Sequence, residues 1–197
     1  MPAIRPEPTI LTGRHITLEP LTPELLPELY EVIGLPEVFA GGYGGGPAGL
    51  VGSAEEFVDF GLKYYQFDGG RPMAVRLTDG TLVGTSTLGD FDEPREHAHI
   101  GWTAFSPSVW GGPVNPEAKL LMLGHAFDHG YGRVKLQADS LNDRSRAAIL
   151  KLGAKYEGIV RRDRLRADGT WRNTAVYSIL LDEWPAVREG LEKRLAD

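Results

Sequence analysis

Residues 108–119, SVWGGPVNPEAK, have the composition of a loop that leads the chain into a helix. Backbone N–H groups at the start of a helix are unpaired and lie at the positive end of the helix dipole, so they favour an anion. Glycines at positions 111 and 112 would let a bulky diphosphate approach the backbone closely. The segment therefore indicates either a phosphate-binding cradle or an ordinary capped helix after a tight turn.

The two prolines of this loop limit which amides could bind an anion. Pro113 and Pro116 have no N–H group. The residues that keep theirs are Trp110, Gly111, Gly112, Val114, Asn115 and Glu117. Asn115 is a favourable N-cap and Pro116 suits the first helical position, so the pattern predicts a helix from residue 116 to about 129.

A second candidate for chemistry is a pair of histidines in residues 96–105, EHAHIGWTAF. The alternation is typical of a strand, in which residues 97, 99, 101 and 103 would share one face. Because an imidazole has a pKa close to neutral, His99 could act as a general base. The alternative is a histidine that is packed or solvated on the surface of a sheet.

Composition excludes several classes of function. The 197 residues contain no cysteine, and the five histidines show no metal-binding spacing, so we expect neither thiol chemistry nor a metal site. The net charge of −6 disfavours nucleic acid as a partner. No apolar run approaches the ~18 residues of a membrane span, and the first nine residues are too polar for a signal peptide. We therefore expect a cytoplasmic protein with no membrane partner.

The hydrophobic pattern predicts short strands and helices with no linker or repeat between them, and thus one domain of α+β (α/β/α) class over residues 1–197. Turn signals at Asp79–Gly80 and Asp168–Gly169 predict two hairpins. The predicted strands are 14–20, the two arms around Asp79–Gly80, 96–105, 133–141 and the two arms around Asp168–Gly169. The predicted helices are 22–33, 53–67, 116–129, 142–152 and 183–195.

Residues 41–49 hold six glycines and indicate either a mobile loop or a flexible rim over a binding site.

Three fragments, HIGWTAFSPSVWGG with the following EA, NDRSRAAILKLGAKYEG and RADGTWRNTAVYSILLDEW, are similar in order and spacing to the GNAT superfamily of acetyl-coenzyme A-dependent N-acetyltransferases. The chain resembles most the branch of ribosomal-protein N-terminal acetyltransferases (RimJ/RimL type). The resemblance covers residues 8–184, with the C-terminal helix at 183–195. It implies a mixed, mainly antiparallel sheet of six to seven strands, splayed between the fourth and fifth strands, with acetyl-CoA in the gap.

The resemblance also implies which residues would bind the cofactor. Residues 97–105 would form the fourth strand, with Thr103 and Phe105 beside the thioester. The diphosphate would lie on the loop and helix start at Trp110, Gly111, Gly112, Val114 and Asn115. In the family loop, Gly111 matches the first glycine, whereas Ser108 and Pro113 depart from the usual residues. Asn142 and Ser145 match an N-x-x-S motif that would bind the pantetheine arm, and Arg144, with Arg146, could meet the 3′-phosphate.

For catalysis, the resemblance places a base on the fourth strand, where relatives often carry glutamate and this chain has His99. The tyrosine that many relatives use as general acid is replaced by Ile149 and Leu150, so Ser145 is the candidate donor to the leaving thiolate. Asp139 and Glu157 are lesser candidates.

Several alternatives stay open at the level of sequence. The expected reaction is acetylation of a primary amine, on a protein N-terminus or a small molecule, by direct attack in a ternary complex. The alternative is a degenerate module of the same fold that binds CoA or a protein and does no chemistry. Relatives often pair, so a homodimer is an expected assembly. The arginines of residues 161–172 form either an exposed hairpin face or a clamp for an acidic substrate.

Overall fold

A computed structural model describes residues 2–196 of the protein. Positions 1 and 197, which belong to the predicted single domain, lie outside the described residues. One eight-stranded sheet, in the order β1-β2-β3-β4-β5-β6-β8-β7, runs through these residues. All neighbouring strands pair antiparallel except β5 and β6, which are parallel. The strands are β1 (Leu11–Thr12), β2 (Ile16–Pro20), β3 (Arg71–Leu77), β4 (Leu82–Asp92), β5 (His97–Phe105), β6 (Arg133–Asp139), β7 (Lys155–Leu165) and β8 (Trp171–Leu180).

Helices cover both faces of the sheet. They are α1 (Leu26–Ile33), α2 (Pro36–Ala40), α3 (Ala54–Tyr64), α4 (Val114–Asp128), α5 (Asp143–Lys151) and α6 (Trp184–Ala196). One buried cluster packs α4, α5 and α6 against one face, and a second packs α1, α2 and α3 against the other. The predicted mixed sheet flanked by helices is confirmed. Its strand number is eight rather than six to seven, and the first strand contains only two residues.

Local signals explain where several elements begin. The side chain of Ser53 accepts a hydrogen bond from the amide of Glu56 and caps α3, as its capping-box pattern predicts. Asn142 caps α5 in the same way through the amide of Ser145. Asp79 accepts from the amide of Thr81 at 2.9 Å and Gly80 adopts a φ of +88°, so the predicted turn joins β3 and β4.

The sheet opens between β5 and β6. These strands are in register at only three pairs, His97 with Arg133, Ala98 with Val134 and His99 with Lys135. Beyond them the strands separate, so the last six residues of β5 have no partner on that side. This is the splay that was expected after the family's fourth strand, which is β5 here because the two-residue β1 is counted.

The prediction that residues 97, 99, 101 and 103 share one face is wrong for residue 103. Trp102 adopts a φ of +50°, and the register between β4 and β5 shifts at this point. Such a bulge reverses which side chains point to which face. Ala98 and Ile100 pack on the α4 side before the bulge, whereas Ala104 packs on the α1 side after it. His99 and Thr103 therefore lie on opposite faces.

Helix α4 begins earlier than predicted, with Pro113 as its N-cap and Val114 as its first residue, so Asn115 is not the cap. Glu117 has a role that its sequence position did not indicate. Only 3% exposed, it accepts hydrogen bonds from the amides of Arg14, His15 and Ile16 at 2.7–2.9 Å. This contact attaches the start of β2 to the first turn of α4.

Candidate functional site

A cavity of about 320 Å³ lies in the gap between β5 and β6. Its walls come from the second half of β5, the loop before α4, the start of α5, the glycine-rich segment and the β7–β8 hairpin. Among the predicted site residues, those that line it are His99, Thr103, Phe105, Trp110, Gly111, Asn115, Asn142, Arg144 and Ser145. Gly112 and Val114 do not line it.

The loop before α4 supplies unpaired amides at one end of the cavity. The amides of Trp110 and Gly112 donate to carbonyl groups within the loop, so they are not free for a ligand. Within residues 2–196, the amides of Gly111, Val114 and Asn115 donate to no backbone carbonyl. Gly111 has a φ of +81°, and a Cβ there would meet no atom within 4 Å, so the approach to these amides is open. Three free amides at a helix start can accept a phosphate group.

At the end of the cavity formed by the α4 loop, Arg144 also stacks on Trp110. The Trp110 indole donates to the carbonyl of Phe105 at 2.9 Å, which fixes the ring against the end of β5. The guanidinium carbon of Arg144 lies 3.7 Å from the centre of that ring, within the range of a cation–π contact. The stacked pair brings a positive charge from α5 next to the amides of the α4 loop.

At the start of α5, Asn142 and Ser145 differ in how available they are. The Asn142 carboxamide is engaged at both ends, because its oxygen accepts from the Ser145 amide and its nitrogen donates to the Gly41 carbonyl. It holds the helix start against the glycine-rich segment instead of projecting a free amide toward a pantetheine arm. The half-buried Ser145 lines the cavity.

His99 is paired with a carboxylate that the sequence did not reveal. Its Nδ1 lies 2.9 Å from Asp90 Oδ2, and the ring packs 5.1 Å from Trp102 between centroids. Its Nε2 is buried and has no hydrogen-bond partner within residues 2–196. The carboxylate fixes the tautomer with a proton on Nδ1, so the unpaired Nε2 presents its lone pair. Asp90 also accepts from Gln66 at 2.8 Å.

Burial controls the charge of this pair. Desolvation lowers the pKa of His99 to about 4, and the opposing attraction of Asp90 does not compensate. The hydrogen bond with His99 holds the pKa of Asp90 well below its usual range. The imidazole is therefore neutral and the carboxylate ionised at pH 7, which is the form in which Nε2 can take a proton.

A buried lysine also lines the cavity and was missed by sequence reasoning. Lys119 on α4 is 5% exposed, and its Nζ donates to Ser86 at 2.9 Å and to Thr103 at 2.8 Å. Burial lowers the pKa of Lys119 to about 7. In the sequence, Lys119 lies between an alanine and a leucine on α4, a helix with a broad apolar face. This neighbourhood is the signal that could have indicated that the lysine is buried.

The opposite wall combines aromatic and basic side chains. Tyr43 and Tyr64 line it together with Arg164 and Arg172. Residues 41–49 contain two short 3-10 turns and form a rim of the cavity, where the amide of Ala167 at the hairpin tip donates to the Gly45 carbonyl. The arginines of the hairpin thus divide into two groups, since Arg164 and Arg172 line the cavity whereas Arg161 and Arg162 do not.

Three further candidate site residues, Asp139, Glu157 and Arg146, are bound to other side chains of the protein. Asp139 lines the cavity but is ion-paired with Arg166 at 2.8 Å. Glu157 is bound to Arg133 and Ser178 and does not line the cavity. Arg146 donates to the Tyr177 hydroxyl and the Ser140 carbonyl, which leaves Arg144 as the arginine of α5 that lines the cavity.

The sequence of residues 15–155 matches the family described as the acetyltransferase (GNAT) domain. This match covers more than half of the chain. The chain belongs to the GNAT acetyltransferase family. Membership supports acetyl transfer as the chemistry and implies acetyl-CoA as the donor.

Solved structures show the same GNAT fold. An acetyltransferase structure from T. thermophilus is 32% identical with a TM-score of 0.85, over 98% of this chain and 100% of that one. A GCN5-related N-acetyltransferase from Brucella melitensis is 27% identical with a TM-score of 0.88, over 98% and 88%. Mycobacterium smegmatis RimJ, solved with CoA-disulfide, is 20% identical with a TM-score of 0.74, over 95% of each chain, and shows the fold alone. A comparison with curated proteins finds no match.

Residues 2–196 contain neither a membrane-spanning helix nor a cluster of metal-binding side chains. No helix in this range has the length and apolar character needed to cross a membrane. No group of three or more His, Cys, Asp or Glu side chains in the same range is placed to hold a metal ion.

The residues of the cavity fit the cosubstrate that the family implies. A diphosphate needs amide donors and positive charge, which the Gly111 and Asn115 amides and the Arg144 guanidinium could provide. An extended pantetheine arm needs a gap between strands, and the separation of β5 from β6 provides one.

Proposed function

We propose that this protein transfers the acetyl group of acetyl-CoA to a primary amine by direct attack within a ternary complex, and that the whole chain acts as one domain. The observation that carries the proposal is the unpaired, buried Nε2 of His99, held by Asp90 in the cavity between the separated strands. A site that only bound CoA would have no need of a carboxylate-oriented imidazole beside the gap.

In the proposed mechanism His99 acts after the amine has reached the cavity in its neutral form. The amine lone pair attacks the acetyl carbon, and the nitrogen becomes strongly acidic as the C–N bond forms. His99 Nε2 accepts that proton despite its pKa of about 4, because the adduct nitrogen is a far stronger acid than a free ammonium ion. General-base help of this kind contributes about 10²–10⁴ in rate.

Two further groups complete the proposed transfer. Backbone amides on the unpaired edge of β5, near Thr103 and Phe105, stabilise the charge that develops on the carbonyl oxygen. The C–S bond then breaks, and the Ser145 hydroxyl, which lines the same cavity, donates its proton to the leaving thiolate and regains one from solvent. The products are CoA and an amide, and His99 then releases its proton to solvent.

The test combines turnover with cofactor binding. Free thiol released from acetyl-CoA is measured against a panel of primary amines, and His99→Gln is compared with His97→Gln, a neighbour on β5 that does not line the cavity. We expect His99→Gln to lower kcat at least tenfold with little change in the affinity for acetyl-CoA, and His97→Gln to leave both unchanged.

Two results would count against the proposal. Equal turnover in wild type and His99→Gln would remove this histidine from the reaction. Thermal stabilisation by acetyl-CoA without thiol release on any amine would identify a CoA-binding module that does no chemistry.

A further inference from the structure

The Arg172 side chain in the cavity wall has an N–H donor that is unsatisfied within residues 2–196. Arg172 lies at the start of β8, is partly buried and lines the cavity. Its Nε is shielded from solvent and has no hydrogen-bond partner within residues 2–196. A buried cationic donor without an acceptor is costly, so a protein that keeps one commonly uses it to hold an anion.

The two carboxylates near Arg172, Asp139 and Asp163, form their ion pairs with other arginines within residues 2–196. Asp139 accepts from Arg166 through Oδ2 and from the amide of Leu141 through Oδ1. Asp163 accepts from the Thr174 hydroxyl at 2.6 Å. Both acids therefore have other partners, and the guanidinium keeps its capacity to bind a ligand.

A second arginine adds to the positive charge. Arg164 on β7 lies directly opposite Arg172 on β8 in the antiparallel register and also lines the cavity. Like charges at opposed positions destabilise a sheet unless something lies between them. Arg164 has only its neighbour Asp163 as an ion-pair partner within residues 2–196, at 3.5 Å. Two opposed arginines in a protein of net charge −6 indicate a local anion site.

This pair lies on the side of the sheet that carries His99. Ala175, Tyr177 and Ile179 of β8 pack with α4, α5 and α6, so the alternate residues Thr174 and Arg172 point to the other face. His99 points to that same face, because its neighbours Ala98 and Ile100 pack with α4. The amides of the α4 loop and the Arg144 guanidinium, which are the candidate donors to a cofactor phosphate, lie on other elements of the cavity wall. An anion at Arg172 is therefore expected to be part of the acceptor.

We propose that the acceptor is a small amine that also carries a carboxylate, which Arg172 binds with the help of Arg164 while the amine lies at His99. This inference rests on the proposed acetyl transfer and specifies the class of acceptor. A guanidinium can bind a carboxylate through two parallel N–H donors, which would orient the amine as well as hold it.

The test compares amino acids with amides that differ from them only in the carboxylate. Glycine, β-alanine and γ-aminobutyrate are each paired with their amides, and kcat/KM is calculated for the unprotonated amine so that differences in amine pKa cancel. We expect at least one acid to exceed its amide tenfold or more. The member of the series that is preferred reports the separation between the amine and the carboxylate.

Variants then assign the preference to a residue. We expect Arg172→Gln to raise KM for the acid at least tenfold, with kcat/KM for the amide and KM for acetyl-CoA unchanged. Arg172→Lys keeps the charge and should retain part of the preference. Arg161→Gln removes the same charge from an exposed position of β7 and should have no effect.

Three outcomes would overturn the inference. Equal use of acids and amides would show that no carboxylate is recognised. A preference that survives Arg172→Gln would place recognition elsewhere. An increase in KM for acetyl-CoA in this variant would mean that Arg172 binds a cofactor phosphate. By contrast, a lack of thiol release with every amine would refute the proposed acetyl transfer itself, so the two failures are distinguishable.

Discussion

Among single residues, Lys119 is a buried amine whose charged form is disfavoured by its surroundings. Its amino group is buried with two hydroxyl partners, Ser86 and Thr103, and no carboxylate within the described range. Burial lowers the pKa of Lys119 to about 7, whereas the unfolded chain has the ordinary value of 10.5. Between pH 7 and 10.5 the unfolded state therefore binds a proton that the folded state does not. The free energy of unfolding therefore increases with pH across this range. Lys119 destabilises the folded state most at and below pH 7, and progressively less as the pH approaches 10.5.

Replacement of Lys119 by methionine is accordingly expected to stabilise the protein without ligand. One pK unit corresponds to about 1.4 kcal/mol, so Lys119→Met should raise Tm by about 5 °C or more at pH 7, since Ser86 and Thr103 still bond to each other. The gain should shrink as pH rises toward 10.5. Thermal unfolding across this range, with the exposed Lys151→Met as control, measures it. A gain that is independent of pH would contradict the lowered pKa.

Among the elements, the two bulged strands position the groups that we propose to be reactive. Asp90 has a φ of +48° at a register shift in β4, and Trp102 has a φ of +50° at the shift in β5. The first irregularity places Asp90 beside His99, and the second turns Thr103 toward α4. Regular strands would place these side chains differently, so the bulges are part of how the site is built.

The close packing of His99 on β5 leads to a test at Gly101. A Cβ at this position would lie 2.6 Å from Cε1 and 2.7 Å from Nε2 of His99. The ring can move, so we expect Gly101→Ala to cost only about 1 kcal/mol of stability. Because the movement misplaces Nε2, kcat should fall about tenfold or more with unchanged affinity for acetyl-CoA.

Steady-state kinetics and thermal unfolding check this prediction, and Gly190→Ala provides the control. Gly190 lies inside α6, where a Cβ meets no atom within 4 Å. That variant should keep full activity and gain up to about 1 kcal/mol of stability from helix propensity. A folded Gly101→Ala protein with wild-type kcat would show that the orientation of the ring does not limit turnover.

The sequence predicted those parts of the fold that depend on neighbours along the chain. The Asn142 cap, the Ser53 cap and the Asp79–Gly80 turn are local, and each is present. Asp90 could not be predicted as the partner of His99, because their contact depends on the register of two strands and on a bulge at a residue that is not glycine. The face of Thr103 was mispredicted for the same reason.

The candidate site likewise has features that local sequence predicts and features that depend on distant contacts. The loop before α4 was located by its glycines and prolines, although which of its amides are free became clear only from the turn that uses the others. The environments of Lys119 and Arg172 depend on packing between distant segments, and no local pattern signals an unpaired charge.

Across the whole molecule, the gap divides the sheet into two parts with different neighbours. The strands β1 to β5 form one part, which carries the loop that leads into α4, and β6, β7 and β8 form the other, with α5 packed on β6. Only three residue pairs connect the two parts directly across the sheet within residues 2–196. A ligand that contacts both the α4 loop and the start of α5 would connect them further.

We therefore expect acetyl-CoA to stabilise the fold strongly. At a free concentration of 100 times Kd the gain is about 2.7 kcal/mol, which corresponds to about 5–10 °C in Tm for a protein of this size. S-acetyl-pantetheine lacks the diphosphate and should give a much smaller shift at equal concentration. Thermal unfolding with each ligand measures the difference. Equal shifts would show that the amides of the α4 loop do not contribute.

The outermost strand, β7, has a consequence for solubility. Nearly all of its eleven residues are exposed, including Tyr156, Ile159 and Val160, and one edge of its backbone has no neighbour in the sheet that residues 2–196 form. Such an edge can pair with a strand of another molecule and begin aggregation. Four consecutive charged residues, 161–164, follow Ile159 and Val160 and keep the apolar stretch short. We expect these charges to act as gatekeepers against fibril formation, a role separate from the part that Arg164 plays in the cavity wall.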